Sequence, residues 1–282
     1  FVVDIINDML AGKPVYAMVA PATEGQFGKD ISMTSIREAL KKIGFKDMIE
    51  VGLGGDMTAA AEAEEWAEAA KDGKKKTTSC CPAFVNMVKK HFPEVWDCVS
   101  TTVSPMCAVS RMIKAKEPEA VTVFIGPCVA KKSECQDKSI EGNADYVLYG
   151  ELSSIMKARN VKFEPAENDS QEASIYGKKF ANAGGVTAAV IQCLEETQGD
   201  ADLKVRTCNG AAECKTALTL LKLGRLPEDF IEGMVCEGGC VGGPSQHRTE
   251  KAAMKDRNAL LGEADERGVH ENLEHYPMDT FS

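Results

Sequence analysis

Short apolar runs alternate with longer stretches of helical periodicity along this chain. Val15–Ala20 is an unbroken apolar run stopped by Pro21, and predicts a buried strand ending in a loop. Ser35-Ile-Arg-Glu38 has the pattern of a capping box, and Ile36, Leu40 and Ile43 recur at helical spacing until Gly44. Ile49–Leu53 reads as a second strand. Thr58–Lys71, rich in alanine and glutamate, predicts a helix that Gly73 closes. Pro82 stands at the expected first position of a helix with Phe84, Val85 and Val88 on its apolar side. Val121–Ile125 is β-branched or aromatic throughout and ends at Gly126-Pro127, the signature of a strand. Farther on, Gly184-Gly185-Val186 opens an apolar helix through Cys193, and Ala217–Leu223 forms another ended by Gly224. Ile231–Cys240 turns glycine-rich, and the charged tail after Arg248 reads as helical. Strands alternating with helices predict an α/β fold with largely parallel sheets, whose ligands gather beyond the carboxyl ends of strands.

Composition narrows the function classes. Among 282 residues, 43 acidic against 33 basic side chains leave a formal charge of -10. That balance argues against a nucleic-acid sheath and against docking on anionic membranes. No apolar stretch approaches a bilayer span, and no signal peptide is visible, so the expectation is a soluble, cytoplasmic protein. Eleven cysteines, an odd number in a long chain, fit poorly with a secreted disulfide framework and point to metal chemistry or catalysis. Cys98, Cys193, Cys208 and Cys214 read as packing residues, while Cys107 and Cys135 stay unassigned.

Three motifs carry the remaining thiols. In Thr78-Ser79-Cys80-Cys81-Pro82-Ala83-Phe84-Val85, adjacent cysteines diverge and so take different tasks; Cys81, just ahead of a helix, would feel its positive end. The bland reading is a pair of small buried residues at a turn. In Gly126-Pro127-Cys128-Val129-Ala130-Lys131-Lys132, a cysteine at a strand end faces a cleft, and a lysine there can approach an anion. For Lys132 a solvated surface role is preferred. In Glu232-Gly233-Met234-Val235-Cys236-Glu237-Gly238-Gly239-Cys240-Val241-Gly242-Gly243-Pro244, glycines between two cysteines let backbone N–H groups turn toward an inorganic cluster. Zinc competes, but structural zinc favours closely spaced pairs, and segments this far apart suit an iron–sulfur site in a cleft between lobes. The four histidines show no paired ligand spacing, and no phosphate loop, dinucleotide fingerprint or nucleophile elbow is present.

Together and in this order, the three motifs resemble the signatures of the iron-only (FeFe) hydrogenase catalytic domain, a resemblance that runs across essentially the whole chain. It implies one catalytic domain over 1–282, with two lobes of largely parallel sheet divided near 110–120, the cofactor in the cleft between them, and residues 225–282 closing it. It implies a four-iron four-sulfur cubane on Cys81, Cys128, Cys236 and Cys240, with Cys240 bridging to a di-iron unit that carries CO, cyanide and azadithiolate. Lys131 would hydrogen-bond a cyanide, and Ala20, Pro21, Ala22, Ser104, Pro105, Pro127, Phe180, Val186 and Met234 would wall the pocket. Cys80 would pass protons to the cofactor through a relay of Glu62, Ser100 and Glu65; the plain alternative for the two glutamates is a solvated acidic helix face.

The implied reaction is reversible oxidation of H2 to protons and electrons, with ferredoxin or another electron carrier and hydrogenase maturation proteins as partners. The other readings are a low-turnover hydrogen sensor, an assembly protein that holds cubanes without the di-iron unit, and a zinc-stabilised binding module. Cys80-Cys81 counts against the assembly protein. The chain departs from the common pattern at Gly126, where methionine is usual, at Met106, where glutamine is usual, at Phe84, where tryptophan is frequent, and in ending its third motif Gly-Gly-Pro-Ser. The ferredoxin-like cysteine clusters of larger relatives are absent from this sequence.

Overall fold

Seven strands form two parallel sheets in the computed structural model, which describes residues 1–167, 172–199 and 203–276. The strands are β1 (Val15–Val19), β2 (Asp47–Glu50), β3 (Lys76–Thr77), β4 (Val121–Ile125), β5 (Tyr146–Leu148), β6 (Val205–Asn209) and β7 (Phe230–Met234). One sheet has the order β2-β1-β4-β5 and the other β3-β7-β6. In the first, Val19 pairs with both Glu50 and Ile125, so β1, β2 and β4 end level with one another. All five residues of β4 and all five of β7 are buried, as parallel strands covered on both faces require. A cut at 110–120 separates β1 and β2 from β4 and β5 of the same sheet, and β3 from its partner β7. The expected lobe boundary therefore does not divide the two sheets. The stretch expected to close the cleft contributes the central strand of the second sheet, and its residues 277–282 lie outside the described part.

The helices are α1 (Val2–Leu10), α2 (Met33–Ile43), α3 (Val51–Lys71), α4 (Pro82–His91), α5 (Pro105–Lys116), α6 (Lys131–Cys135), α7 (Gly150–Ala158), α8 (Ile175–Lys179), α9 (Gly185–Gln198), α10 (Ala211–Lys222), α11 (Glu250–Leu261) and α12 (Val269–Leu273). Among the described residues none is long and apolar enough to cross a membrane. Helix α2 is capped one turn earlier than the sequence pattern suggests. The Ser32 hydroxyl accepts from the Ser35 N–H at 3.1 Å, and Ser35 Oγ accepts from the Ser32 N–H at 3.3 Å. Pro82 and Pro105 each open a helix, where a missing N–H costs nothing.

The strand expected at Ile49–Leu53 is a correction: β2 ends at Glu50 and α3 begins at Val51. Glycines weaken an isolated helix, yet here they permit close packing. A Cβ on Gly54 would lie 2.2 Å from the Pro105 carbonyl oxygen, and one on Gly52 would lie 2.7 Å from Ala173 Cβ. Tertiary contact thus overrides local propensity. Gly54→Ala should separate α3 from α5 and cost roughly 1–3 kcal/mol, read as a lower urea midpoint. An unchanged midpoint would mean that this crossing tolerates a methyl group.

Helix α3 also ties the sheets together. Trp66, fully buried, stacks on Phe230 of β7 with centroids 4.3 Å apart and planes 7° from parallel. The same core cluster contains Met18 and Phe124 from the first sheet. The site lies in this region between the sheets. The strand β7 itself hides in a glycine-rich sequence: a Cβ on Gly233 would lie 2.2 Å from the Phe84 ring, so only glycine lets α4 seat against it.

Candidate active site

One cavity gathers residues that are far apart in sequence. Its wall includes Cys81 ahead of α4, Cys128 after β4, and Cys236 and Cys240 after β7. All four are free thiols. The glycines of the third motif make this approach possible. Gly239 has φ +68°, and a Cβ there would lie 2.5 Å from the Ala181 carbonyl oxygen. The Cys240 N–H donates to that same carbonyl at 2.8 Å, locking the turn against the segment after α8.

Burial pushes the thiols of Cys128 and Cys240 upward and that of Cys236 to about 11, each reinforced by neighbouring thiolate charge. Such a set becomes anionic when a metal cluster replaces the protons. Among the described residues, no three His, Cys, Asp or Glu side chains converge to hold a single ion. Four cysteines spread around one cavity suit a cluster in which each thiolate meets its own iron. A lone zinc would draw all four sulfurs to about 2.3 Å from one point. The donor set therefore fits an iron–sulfur cubane.

Beside the thiols and Lys131 the cavity is apolar. Ala20, Pro21, Ala22, Pro105, Pro127, Phe180 and Met234 line it. Two residues expected in the wall stand behind it. Val186 is fully buried in the core, and Ser104 caps α5 and borders an adjoining polar groove. Val51, Phe124 and Ala181 also line the cavity; in the sequence, Phe124 is marked only by the Gly126-Pro127 strand end, Ala181 only by adjacency to Phe180, and Val51 by nothing local. Met106 also lines the cavity, fully buried, so the wall there has a thioether where the common pattern has an amide. At Gly126, an added Cβ would lie 2.7 Å from Ala20 Cβ and 2.8 Å from the Phe124 ring. Phe124 and Ala20 already occupy the space into which a methionine there would begin to grow.

Lys131 is the buried cation of the wall. Its Nζ donates to the Cys80 carbonyl oxygen at 3.3 Å and to Glu134 Oε2 at 2.7 Å, and the Ser104 hydroxyl donates to the other oxygen of Glu134. Burial alone would lower its pKa, but the Glu134 charge and hydrogen bond hold it above the ordinary lysine value. Lys132, by contrast, pairs with Glu151 at 2.5 Å, half-exposed, as its surface reading implies.

A polar line leads away from the cavity. Cys80 lines the cavity, and the preceding Ser79 donates its N–H to Glu62 Oε1 at 3.3 Å. The other oxygen of Glu62, fully buried, has no hydrogen-bond partner. Ser100 donates to Glu65 Oε2 at 2.5 Å, and Lys76 to Glu65 Oε1 at 2.6 Å. Glu65 borders an open surface hollow, whose rim also carries the exposed Glu64. Glu62 and Glu65, one turn apart, share a face of α3.

Burial, with the charges of Glu65 and Glu232, raises Glu62 to about 8. Glu65 moves oppositely: burial would raise it, but hydrogen bonds from Lys76 and Ser100 hold it below the usual carboxylate range. Cys80 is pushed up by burial and then by the Glu62 charge. The two carboxyl groups thus differ in proton affinity, the inner one protonated near neutrality and the outer one ionised.

The raised Glu62 has a measurable consequence. A raised folded-state pKa favours folding below the unfolded value near 4.5, and that advantage is lost as pH rises toward 8. Asp56, raised to about 7 by burial, acts with the same sign. The metal-free protein should therefore lose stability as pH rises from 4.5 to 8. Each carboxyl contributes a slope of at most about 1.4 kcal/mol per pH unit. Glu62→Gln should flatten that slope in urea titrations and leave the part due to Asp56; an unaltered slope would remove the buried-carboxyl assignment.

The remaining cysteines sit elsewhere. Cys193, Cys208 and Cys214 are buried in core clusters, and Cys98 packs against one of them. Cys107 donates to the Glu141 carbonyl at 3.8 Å and Cys135 to that of Ala144 at 3.1 Å.

Residues 13–244 match the family described as iron only hydrogenase large subunit, C-terminal domain. The chain is 28% identical to the NADP-reducing hydrogenase subunit HndD of Solidesulfovibrio fructosivorans, covering 92% of this chain and 55% of that protein. It is 26% identical to iron hydrogenase 1 of Clostridium pasteurianum, covering 92% and 56%. The chain thus spans about half the length of these curated relatives. A variant of the [FeFe]-hydrogenase HydA1 from Chlamydomonas reinhardtii has the same fold, with a TM-score of 0.79 at 22% identity over 96% of this chain and 91% of that one.

Proposed function

Since the chain belongs to the family of C-terminal domains from iron-only hydrogenase large subunits, we propose that it interconverts H2 with protons and electrons in the cavity between its sheets. The observation that carries this reading is the meeting of Cys81, Cys128, Cys236 and Cys240 at one cavity whose wall also holds Cys80. Cys81, Cys128, Cys236 and Cys240 would hold the cubane, and Cys240 would also hold the di-iron unit. When bound, that paired cluster supplies the two-electron chemistry of hydrogen at iron.

The protein's part is orientation, charge and protons. Lys131, aimed by Glu134, presents a fixed positive charge to anionic ligands. The Pro21, Pro105, Pro127 and Phe180 wall excludes water, which strengthens that charge. Cys80 exchanges its proton with Glu62, whose unpartnered oxygen leaves room for one. Ser100, whose hydroxyl donates to Glu65, would pass the proton from the inner carboxyl to the outer one, and Glu65 meets solvent beside Lys76. Electrons come from a ferredoxin or a similar carrier, and maturation proteins deliver the di-iron unit. Retention of the Cys80 thiol favours an enzyme over a sensor. The thioether of Met106 in the wall favours the sensor reading, because it removes a hydrogen-bond donor from the ligand pocket.

The test is anaerobic loading with iron and sulfide, then with a synthetic di-iron complex. Infrared bands of CO and cyanide and measured H2 evolution are expected. Bands with negligible turnover would favour the sensor; a cubane that never accepts the di-iron unit would favour the assembly protein; binding of zinc alone would sink the proposal.

A further inference from the structure

Four charged side chains lie deeper in this protein than charge normally goes. Lys178 and Glu24 are 3% exposed, Glu50 is 2% and Arg257 is 0%. Lys178 Nζ reaches Glu50 Oε2 at 3.2 Å and Glu24 Oε1 at 3.4 Å, and Arg257 Nη2 lies 4.0 Å from Glu24 Oε2. That Glu24 oxygen accepts no hydrogen bond. Two cations and two carboxylates cancel within the group, so removing one leaves a buried charge of known sign.

The guanidinium of Arg257 is spent on the cavity wall. Its Nε donates to the Pro21 carbonyl oxygen at 3.3 Å, Nη1 to Asn182 Oδ1 at 3.0 Å, and Nη2 to the Lys178 carbonyl oxygen. Pro21 lines the cavity, and so do Phe180 and Ala181, between the two other acceptors. Ala181 in turn receives the Cys240 N–H. One planar fork therefore ties together two wall segments and the backbone of the cysteine that both halves of the cofactor would share. Its root is fixed as well, because α11 lies so close to Gly25 that a Cβ there would meet the Ala253 carbonyl oxygen at 2.3 Å. Burial lowers the proton affinity of the guanidinium, and the Glu24 charge and a thiolate at Cys240 would oppose that.

We propose that Arg257 is a positioning residue of the cluster site, which sets the wall around Cys240 and lends the cubane a buried positive charge that Glu24 tempers. Fastening alone does not call for ions, since buried ion pairs are commonly replaced by apolar side chains without loss of stability. A cation beside an iron–sulfur cluster favours its reduced, more negative state, and a carboxylate opposes that. The inference rests on the cubane of the functional reading and needs neither the di-iron unit nor turnover.

The experiment is an electron-paramagnetic-resonance redox titration of protein loaded only with iron and sulfide, in wild type, Arg257→Met, Arg257→Lys and Glu24→Gln. Arg257→Met should shift the cubane potential negative and Glu24→Gln should shift it positive. Arg257→Lys should keep most of the wild-type potential while losing the fork's contacts, seen as a lower thermal midpoint. Potentials that stay at the wild-type value, or move in the same direction for both charge removals, would reduce the network to a structural tie and overturn the proposal. Should Arg257→Met fail to fold, the positive shift of Glu24→Gln decides the matter alone. A wild-type protein that takes up no cubane overturns the functional reading, and this inference with it.

Discussion

Cys80→Ala should lower hydrogen turnover by at least about 10²-fold while leaving the visible absorption of the loaded cubane unchanged. The two effects separate because the cysteines of the first motif have different surroundings. Cys80 is buried between the cavity and the Ser79–Glu62 contact, whereas Cys81 sits at the start of α4. Removing the thiol leaves a methyl group that cannot carry a proton, and Glu62 then has no donor on the cavity side. Cys80→Ser keeps a hydroxyl of similar size but with a far higher pKa, so turnover should recover little. Full activity in Cys80→Ala would move the proton route elsewhere, toward the polar groove beside Ser104 and Glu134.

Cys240→Ala should abolish uptake of the di-iron unit, so that CO and cyanide bands are missing after loading and turnover falls to background. Its sulfur is the one the resemblance assigns to both halves of the cofactor, and its backbone is anchored at Ala181 independently of the thiol. The turn itself should survive the substitution, which makes lost uptake a statement about chemistry rather than folding. Cys214→Ala is the control: that thiol is buried in the cluster of α10 and Phe84. It should cost about 1 kcal/mol of stability through a small cavity and leave uptake intact. Equal loss of uptake in both variants would defeat the assignment of Cys240.

How far the fold and the site could be read in advance differed from residue to residue. Apolar runs bounded by proline or glycine located β1 and β4 closely, since a parallel strand is buried on both faces and its sequence says so. The start of α3 escapes a local reading because Gly52, Gly54 and Gly55 are poor helix formers, and their use depends on Pro105 and Gly177, neighbours that no local window contains. For the same reason β7 lies in a stretch that reads only as glycine-rich, since its fit depends on Phe84 packed against Gly233.

What the amino-acid order determined by itself was the chemistry: four thiols in three motifs, a fifth thiol beside one of them, and a lysine near another. Side-chain identity sets which donors exist. Only the tertiary structure decided which of three neighbouring glutamates face inward, that Val186 and Ser104 stand behind the wall, and that Arg257 reaches the site at all. Burial, ion pairing and the resulting proton affinities come from side chains brought together across long loops, and periodicity along a chain carries no record of those partners.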